Sequence, residues 1–344
     1  MTCIALDQQQ SVPAGGQPLL DVRGLVTQFK TRGGVLRAVN DVSFTLSGGR
    51  VLAVLGESGS GKSVMLRTIL GIQARNARLS GAVVMRGVDL LTLSSKERER
   101  IRGEWLSMVF QDPMTALDPV FTVEQQIVET LRRHRKLDKD AARRRARELL
   151  EMVQIPSPEQ RLRSYPFELS GGMRQRVVIA MALACEPGLL LADEPTTALD
   201  VTVQARVLEL LRDLQRRLGM SIIIVTHDLA VAAELADDIA VMYAGRIVES
   251  GSARQVIHNP QHPYTRGLLE ANVRPGQTER PQAIPGAPPN LARLPSGCSF
   301  APRCRHVQAV CRGSFPPVRL LGEGHSTRCA LVDSLAETPV PAAG

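Results

Sequence analysis

The chain has 344 residues, enough to bury a sizeable core and to form two or three units. Its formal charge is +8, with 44% hydrophobic and only 3% aromatic residues. No apolar stretch approaches the ~20 residues that cross a bilayer, and stacking partners for nucleic acid are scarce, so a membrane-spanning chain and a nucleic-acid binder are both disfavoured. The N-terminus, MTCIALDQQQ, has no basic segment leading into an apolar one; no secretory signal is read, and the chain is expected to stay in the cytoplasm.

In chain order, residues 1–18 read as a loose N-terminus. Residues 19–26 and 37–46 alternate as antiparallel strands do. RVLAVLG at 50–56 is an almost continuous apolar strand ending in glycine, followed by a helix from about Lys62 and by strands near 82–86 and 106–110. From about 121 to 186 the pattern is helical throughout. Residues 132–147 hold nine Arg or Lys against two Asp, but Ala142, Ala146, Leu149, Leu150 and Val153 form one apolar stripe. Those arginines therefore read as the solvated face of an amphipathic helix. GLLLAD at 188–193 and SIIIVTH at 221–227 are short apolar strands, each followed by a helical segment. Alternation of this kind, with strands apolar on both faces, predicts an α/β fold: a mostly parallel sheet covered by helices, an antiparallel β part ahead of it, and a helical insert at about 112–186. After residue 270 the character changes. Proline and glycine crowd 281–297, and four of the six cysteines follow, so 271–344 reads as a small appended module beside a unit spanning 19–270.

GESGSGKS at 56–63 fits G-x-x-x-x-G-K-[ST] and lies between an apolar strand and a helix, as a phosphate-binding loop must. Gly56, Gly59 and Gly61 let backbone amides close on a β-phosphate. Lys62 brings positive charge to the β/γ oxygens, and the Ser63 hydroxyl suits Mg²⁺. LLLADEP at 189–195 supplies the partner: Asp193 ends an apolar strand where it can hold the metal through water, and Glu194 can polarise an attacking water. His227 ends the next strand and is expected at the same edge. LSGGMR at 169–174 is a second anion-binding turn, a helix start with bare backbone amides but no lysine.

In that order and approximate spacing, residues 56–63, Gln111, LSGGMRQR (169–176), LLLADEP, ALD (198–200) and His227 resemble an ATP-binding cassette ATPase over roughly 19–270. The resemblance implies a P-loop NTPase cassette and supplies further roles. ATP would meet Phe29 against its adenine and Ser58, Ser60 and Val64 in the phosphate loop. Gln111 would touch Mg²⁺ and report the nucleotide state to a membrane partner. Glu194 would be the general base, and His227 would hold the γ-phosphate. Two cassettes of the family pack head to tail, so Ser170, Gly171, Gly172 and Asp200 would serve the partner's nucleotide. MVFQDPMTALDPVFTVEQQI (108–127), YPFELSGGMRQRVVIAMALACEP (165–187) and HPYTRGLL (262–269) are similar to the dipeptide/oligopeptide importers. Phe167 departs from them, standing where histidine is usual. That branch implies ATP-driven peptide import at the cytoplasmic face of the inner membrane, with a second related ATPase, two permeases and an extracytoplasmic binding protein. The same phrases occur in nickel and glutathione importers, and a soluble cassette acting on nucleic acid or ribosomes is the alternative of another class.

Cys298, Cys304, Cys311 and Cys329 are separated by five, six and seventeen residues. Disulfides are unexpected in a reducing compartment, and the spacing lacks the C-x₂-C of common zinc ribbons and ferredoxins. Four thiolates suit zinc or an iron–sulfur cluster, with His306 and His325 as further zinc ligands. The tail's resemblance to the peptide importers implies a four-iron four-sulfur cluster. Cys3 and Cys185 read as unrelated to it.

Overall fold

The computed structural model describes residues 17–32, 34–197, 199–271 and 282–335; Cys3, Ala198 and Pro281 lie outside them. Twelve strands build two sheets among these residues. They are β1 (Leu20–Thr31), β2 (Gly34–Leu46), β3 (Val51–Leu55), β4 (Ala77–Met85), β5 (Val88–Asp89) and β6 (Leu106–Val109), then β7 (Leu189–Asp193), β8 (Ser221–Thr226), β9 (Asp238–Tyr243), β10 (Arg246–Ser252), β11 (Arg319–Leu320) and β12 (Ser326–Thr327). The smaller sheet runs β2-β1-β4-β5, all antiparallel, and the larger runs β11-β12-β10-β9-β3-β8-β7-β6. In the larger sheet β6, β7, β8, β3 and β9 are parallel, while β10 and the two tail strands close one edge antiparallel.

The parallel strands are short apolar runs because both their faces are covered. Val51, Ala53 and Leu55 of β3 point into one core with the helices Val123–Arg135, Lys139–Met152 and Gly171–Leu183, whereas Leu52 and Val54 point into another with β1, β2 and the helix Lys62–Leu70. The stretch read as helical throughout breaks into four α-helices, the third of which, Pro158–Leu162, is short, and one 3-10 turn, Pro166–Glu168. The stripe Ala142, Ala146, Leu149, Leu150 and Val153 is fully buried. Its arginines are largely paired: Arg143 with Glu124, Arg145 with Glu148 and Glu186, and Arg147 with Glu151 and Glu159. The positive run is thus half of a surface ion-pair lattice rather than a free basic patch. No helix among the described residues is long and apolar enough to cross a membrane.

The tail is bound into the larger sheet rather than hung beside it. Glu249 on β10 is buried, and its carboxylate accepts the backbone N–H of Gln261 at 2.7 Å and of His262 at 2.8 Å. His325 Nε2 lies 2.9 Å from the same carboxylate. His262 is fully enclosed; burial pushes its ring down to about 4, and as a neutral base it accepts the Tyr264 N–H at 3.1 Å. Glu249→Leu strands two buried backbone donors, each worth about 1–3 kcal/mol when unpaired. Urea unfolding should show a loss of about 3 kcal/mol or more, and a loss below about 1 kcal/mol would contradict this role.

Candidate functional site

The parallel register decides which side chains meet. Leu55 pairs with Thr226, and Val225 pairs with both Val54 and Asp193, so the chain leaves β3, β7 and β8 side by side at the carboxyl edge. The phosphate loop emerges from the first, Glu194 from the second and His227 from the third. The loop lies close against neighbouring backbone: a Cβ at Gly56 would stand 2.2 Å from the Met242 carbonyl oxygen, and one at Gly61 2.0 Å from that of Ala38. Only glycine fits at either place.

Lys62 opens the helix Lys62–Leu70 and is buried, its Nζ donating to the carbonyls of Gly56 at 2.7 Å and Glu57 at 2.9 Å. Burial lowers the ammonium's pKa, partly offset by Glu194, Asp193 and Glu57. Ser63 Oγ donates to Asp193 Oδ1 at 2.7 Å. Burial pushes the Asp193 carboxyl up, against the bond from Ser63. A hydroxyl and a carboxylate in contact form the oxygen donor set that a hard divalent cation prefers. Ser60 Oγ is buried and has no hydrogen-bond partner among the described residues.

Glu194 holds the centre. Its φ is +46°, a left-handed conformation rare for a non-glycine residue, fixed by its N–H donating to the Val225 carbonyl at 2.9 Å. One carboxylate oxygen, Oε2, receives Gln111 Nε2 at 3.2 Å and Thr197 Oγ1 at 2.9 Å and lies 3.2 Å from His227 Nδ1. Gln111 and His227 are exposed, so the group opens to solvent on the side a substrate would enter. Phe29 is half-buried on β1, in register with Leu36 and Ala77. Ser58 and Gly59 are exposed at the loop tip, and Val64 is half-buried behind it.

Ser170, Gly171, Gly172 and Asp200 form a second group. Ser170 caps the helix Gly171–Leu183 by accepting the Met173 N–H, and Asp200 caps Val201–Leu218 by accepting the Val203 N–H. The two helix starts abut at Gly171, which faces Leu199, and at Gly172, which faces Val203. Both capping residues are exposed, and their hydrogen bonds stay within their own helices. Phe167 is exposed and stacks on Tyr165, centroids 5.6 Å apart, on the same surface approach.

In the tail, Cys311 and Cys329 are buried, and Cys298 and Cys304 half-buried. The Cys298 N–H donates to the Cys311 carbonyl at 2.8 Å. Burial pushes the Cys329 thiol up to about 11, and the three other sulfurs add to the shift. Cys311 and Cys329 share a small buried cluster with Ala301, Leu331 and Val332, and Cys298 packs against it. Yet among the described residues no three His, Cys, Asp or Glu are set to hold one metal ion. Zinc and an iron–sulfur cluster stand alike on this point, since either needs its thiolates gathered around one centre. His325 turns one ring nitrogen, Nε2, to Glu249. Cys185 is buried apart from the tail, its thiol pushed up to about 11 by burial. The sequence reading did not reach Thr197, Tyr264, Arg303 or Glu57 as contact-makers. Glu57 lay in plain view inside the loop motif, and Tyr264 within HPYTRGLL.

The sheet, the lysine loop and the paired carboxylates define an ATP-hydrolysing cassette. Residues 39–197 match the family model described as ABC transporter, and residues 248–311 match the oligopeptide/dipeptide transporter C-terminal region. The chain is 47% identical over 315 residues to the oligopeptide transport ATP-binding protein OppD of Haemophilus influenzae, covering 91% of this chain and 97% of that one. It is 47% identical over 329 residues to the dipeptide transport ATP-binding protein DppD of Bacillus subtilis, covering 94% and 98%. Among solved structures it is similar to the dimeric ABC cassette MJ0796 in a post-hydrolysis state bound to ADP and Pi, with a TM-score of 0.61 at 29% identity, covering 68% of this chain and 99% of that chain. The chain belongs to the ABC transporter ATPases, in the branch of peptide import ATP-binding proteins.

Gly172 offers a direct test of the second group. A Cβ there would stand 2.6 Å from Val203 Cγ1, and a β-branched side chain in a helix has little freedom to swing aside. Gly172→Ala should cost about 1–3 kcal/mol in thermal or urea unfolding, and Val203→Ala in the same chain should recover most of it. Independent, additive effects would show that the two helix starts do not depend on this contact.

Proposed function

We propose that this chain hydrolyses ATP at the Lys62 loop and so powers import of dipeptides or oligopeptides through a membrane transporter. The observation that carries the proposal is Glu194: one carboxylate oxygen gathered by Gln111, Thr197 and His227, beside the Ser63–Asp193 pair. Gly56, Ser58, Gly59, Ser60, Gly61 and Val64 line the phosphates, and Phe29 stacks on adenine. Lys62 neutralises the β/γ oxygens, while Ser63, Gln111 and Asp193 hold Mg²⁺. Glu194 accepts the proton of the attacking water, and His227 anchors the γ-phosphate. Ser170, Gly171, Gly172 and Asp200 close over a nucleotide held by another cassette, a role their exposed capping side chains support. ATP drives the cycle because it binds the closed pair better than the open one.

The partners are a second related ATPase and two permeases at the cytoplasmic face of the inner membrane, with an extracytoplasmic binding protein delivering the peptide. Residues 19–270 form the ATPase unit, with the helical insert at about 112–186, and 271–344 the appended module. That module takes an iron–sulfur cluster on Cys298, Cys304, Cys311 and Cys329. An all-thiol donor set supports this, as does the packing of Cys298, Cys311 and Cys329 into one small buried cluster. When bound, such a cluster supplies one-electron redox chemistry. The Cys298, Cys304 and Cys329 thiols, raised by burial, must lose their protons for it to load.

Glu194→Gln in the assembled transporter should lower ATP turnover about 10²–10⁴-fold while ATP remains bound, and should abolish stimulation by peptide-loaded binding protein. Near-normal turnover would refute the assignment, and wild-type turnover indifferent to peptide would refute the cargo. Anaerobic purification should give brown protein with iron and acid-labile sulfide. A colourless chain with one zinc per tail would overturn the cluster.

A further inference from the structure

Glu57, second residue of the phosphate loop, is held at three places. Its carbonyl accepts Lys62 Nζ at 2.9 Å, and its N–H donates to Tyr264 Oη at 2.9 Å. Its carboxylate takes both arms of a guanidinium: Arg303 Nη1 at 2.6 Å and Nη2 at 2.9 Å. Arg303 is 246 residues further along and sits immediately before Cys304. Its side chain is only 5% exposed and that of Glu57 26%, so the pair is well shielded from water.

The guanidinium is itself rigidly mounted. Nε donates to the Pro285 carbonyl at 2.9 Å, Nη1 to Tyr243 Oη at 3.3 Å and Nη2 to the Ile284 carbonyl at 3.4 Å. With the two bonds to Glu57, all five of its N–H donors are used. It therefore has none left for a phosphate, and its effect on nucleotide must pass through Glu57. The turn Ala301–Arg303 that carries it begins by returning the Ala301 N–H to the Cys298 carbonyl at 3.0 Å, so its mount is the cysteine module.

A free carboxylate in a loop that must accept a polyphosphate works against binding. It repels the incoming anion and competes with that anion for Lys62. A planar, permanently charged fork that neutralises and fixes the carboxylate removes both effects. We propose that Arg303 is a positioning residue of the phosphate loop: by pinning and neutralising Glu57 it keeps the loop set for ATP, so that the cysteine module sets nucleotide affinity. The link does not depend on which metal centre the module carries. It does rest on the reading of the Lys62 loop as the ATP site, which nucleotide binding by the unaltered chain checks separately.

The test compares Arg303→Gln, Arg303→Lys, Glu57→Gln and the Arg303→Gln/Glu57→Gln pair in the assembled transporter. ATP affinity is read with a fluorescent nucleotide, KM and kcat by turnover, and folding by thermal unfolding. Arg303→Gln should raise KM and Kd for ATP about tenfold or more with kcat within about twofold, because it leaves a shielded charge unpaired. The pair should recover most of that affinity, and Arg303→Lys should fall between, keeping charge but losing the fork. Unchanged affinity in a folded Arg303→Gln chain would overturn the proposal, as would a pair no better than the single variant. If Arg303→Gln does not fold, Arg303→Lys decides: wild-type affinity there overturns the proposal, and weakened affinity at wild-type kcat supports it. Absence of ATP binding in the unaltered chain would instead sink the site assignment.

Discussion

Parallel pairing of β3, β7 and β8 is the constraint on which the site depends. Because Val225 stands beside both Val54 and Asp193, three chain segments far apart in sequence leave the sheet at one height. No single loop of these lengths offers an ammonium, a serine–aspartate pair and a second, buried carboxylate together. The sheet does so without further adjustment, since ligands of open α/β folds collect where strand carboxyl ends diverge. The local cost is visible at Glu194, whose left-handed backbone is held by a ladder bond to Val225. Strain at that place accompanies a buried carboxylate held by Gln111 and Thr197 at the end of an apolar strand.

Much of this was legible in the sequence because its signals are local. A lysine loop between an apolar strand and a helix has one structural meaning, and the strands read at 50–56, 188–193 and 221–227 end within a residue of those observed. Bounds in the smaller sheet were less legible. The first strand runs on to Thr31, beyond residue 26, and β2 and β4 begin at Gly34 and Ala77, ahead of 37 and 82, because the three strands keep pairing past the clearly alternating residues. The helical insert was recognised as helical but not divided correctly, since capping residues rather than hydrophobic period set its breaks. Long-range contacts were not legible at all. Nothing in the phrase HPYTRGLL says that its tyrosine hydroxyl accepts an N–H from the phosphate loop or that its histidine is buried neutral, and nothing around Cys304 says that the preceding arginine reaches Glu57.

Two features that look redundant in the sequence have separate physical reasons. The second anion-binding turn is capped and packed within its own helix pair, leaving its outer face open, which suits a role toward another chain's nucleotide. The tail, which composition alone would make an accessory, contributes two strands to the main sheet and an arginine to the loop that binds phosphate. On the proposed reading, both would link chemistry at Lys62 to something outside the core: one to a companion cassette, the other to the cysteine module.

The central claim is that half of each reaction centre comes from another chain. Measuring ATP turnover per Lys62 site, with this chain held at fixed concentration and titrated with its companion ATPase, tests it most directly. The account predicts negligible turnover alone and a saturating rise as the companion is added. Turnover already full in the lone chain, and flat across the titration, would contradict it.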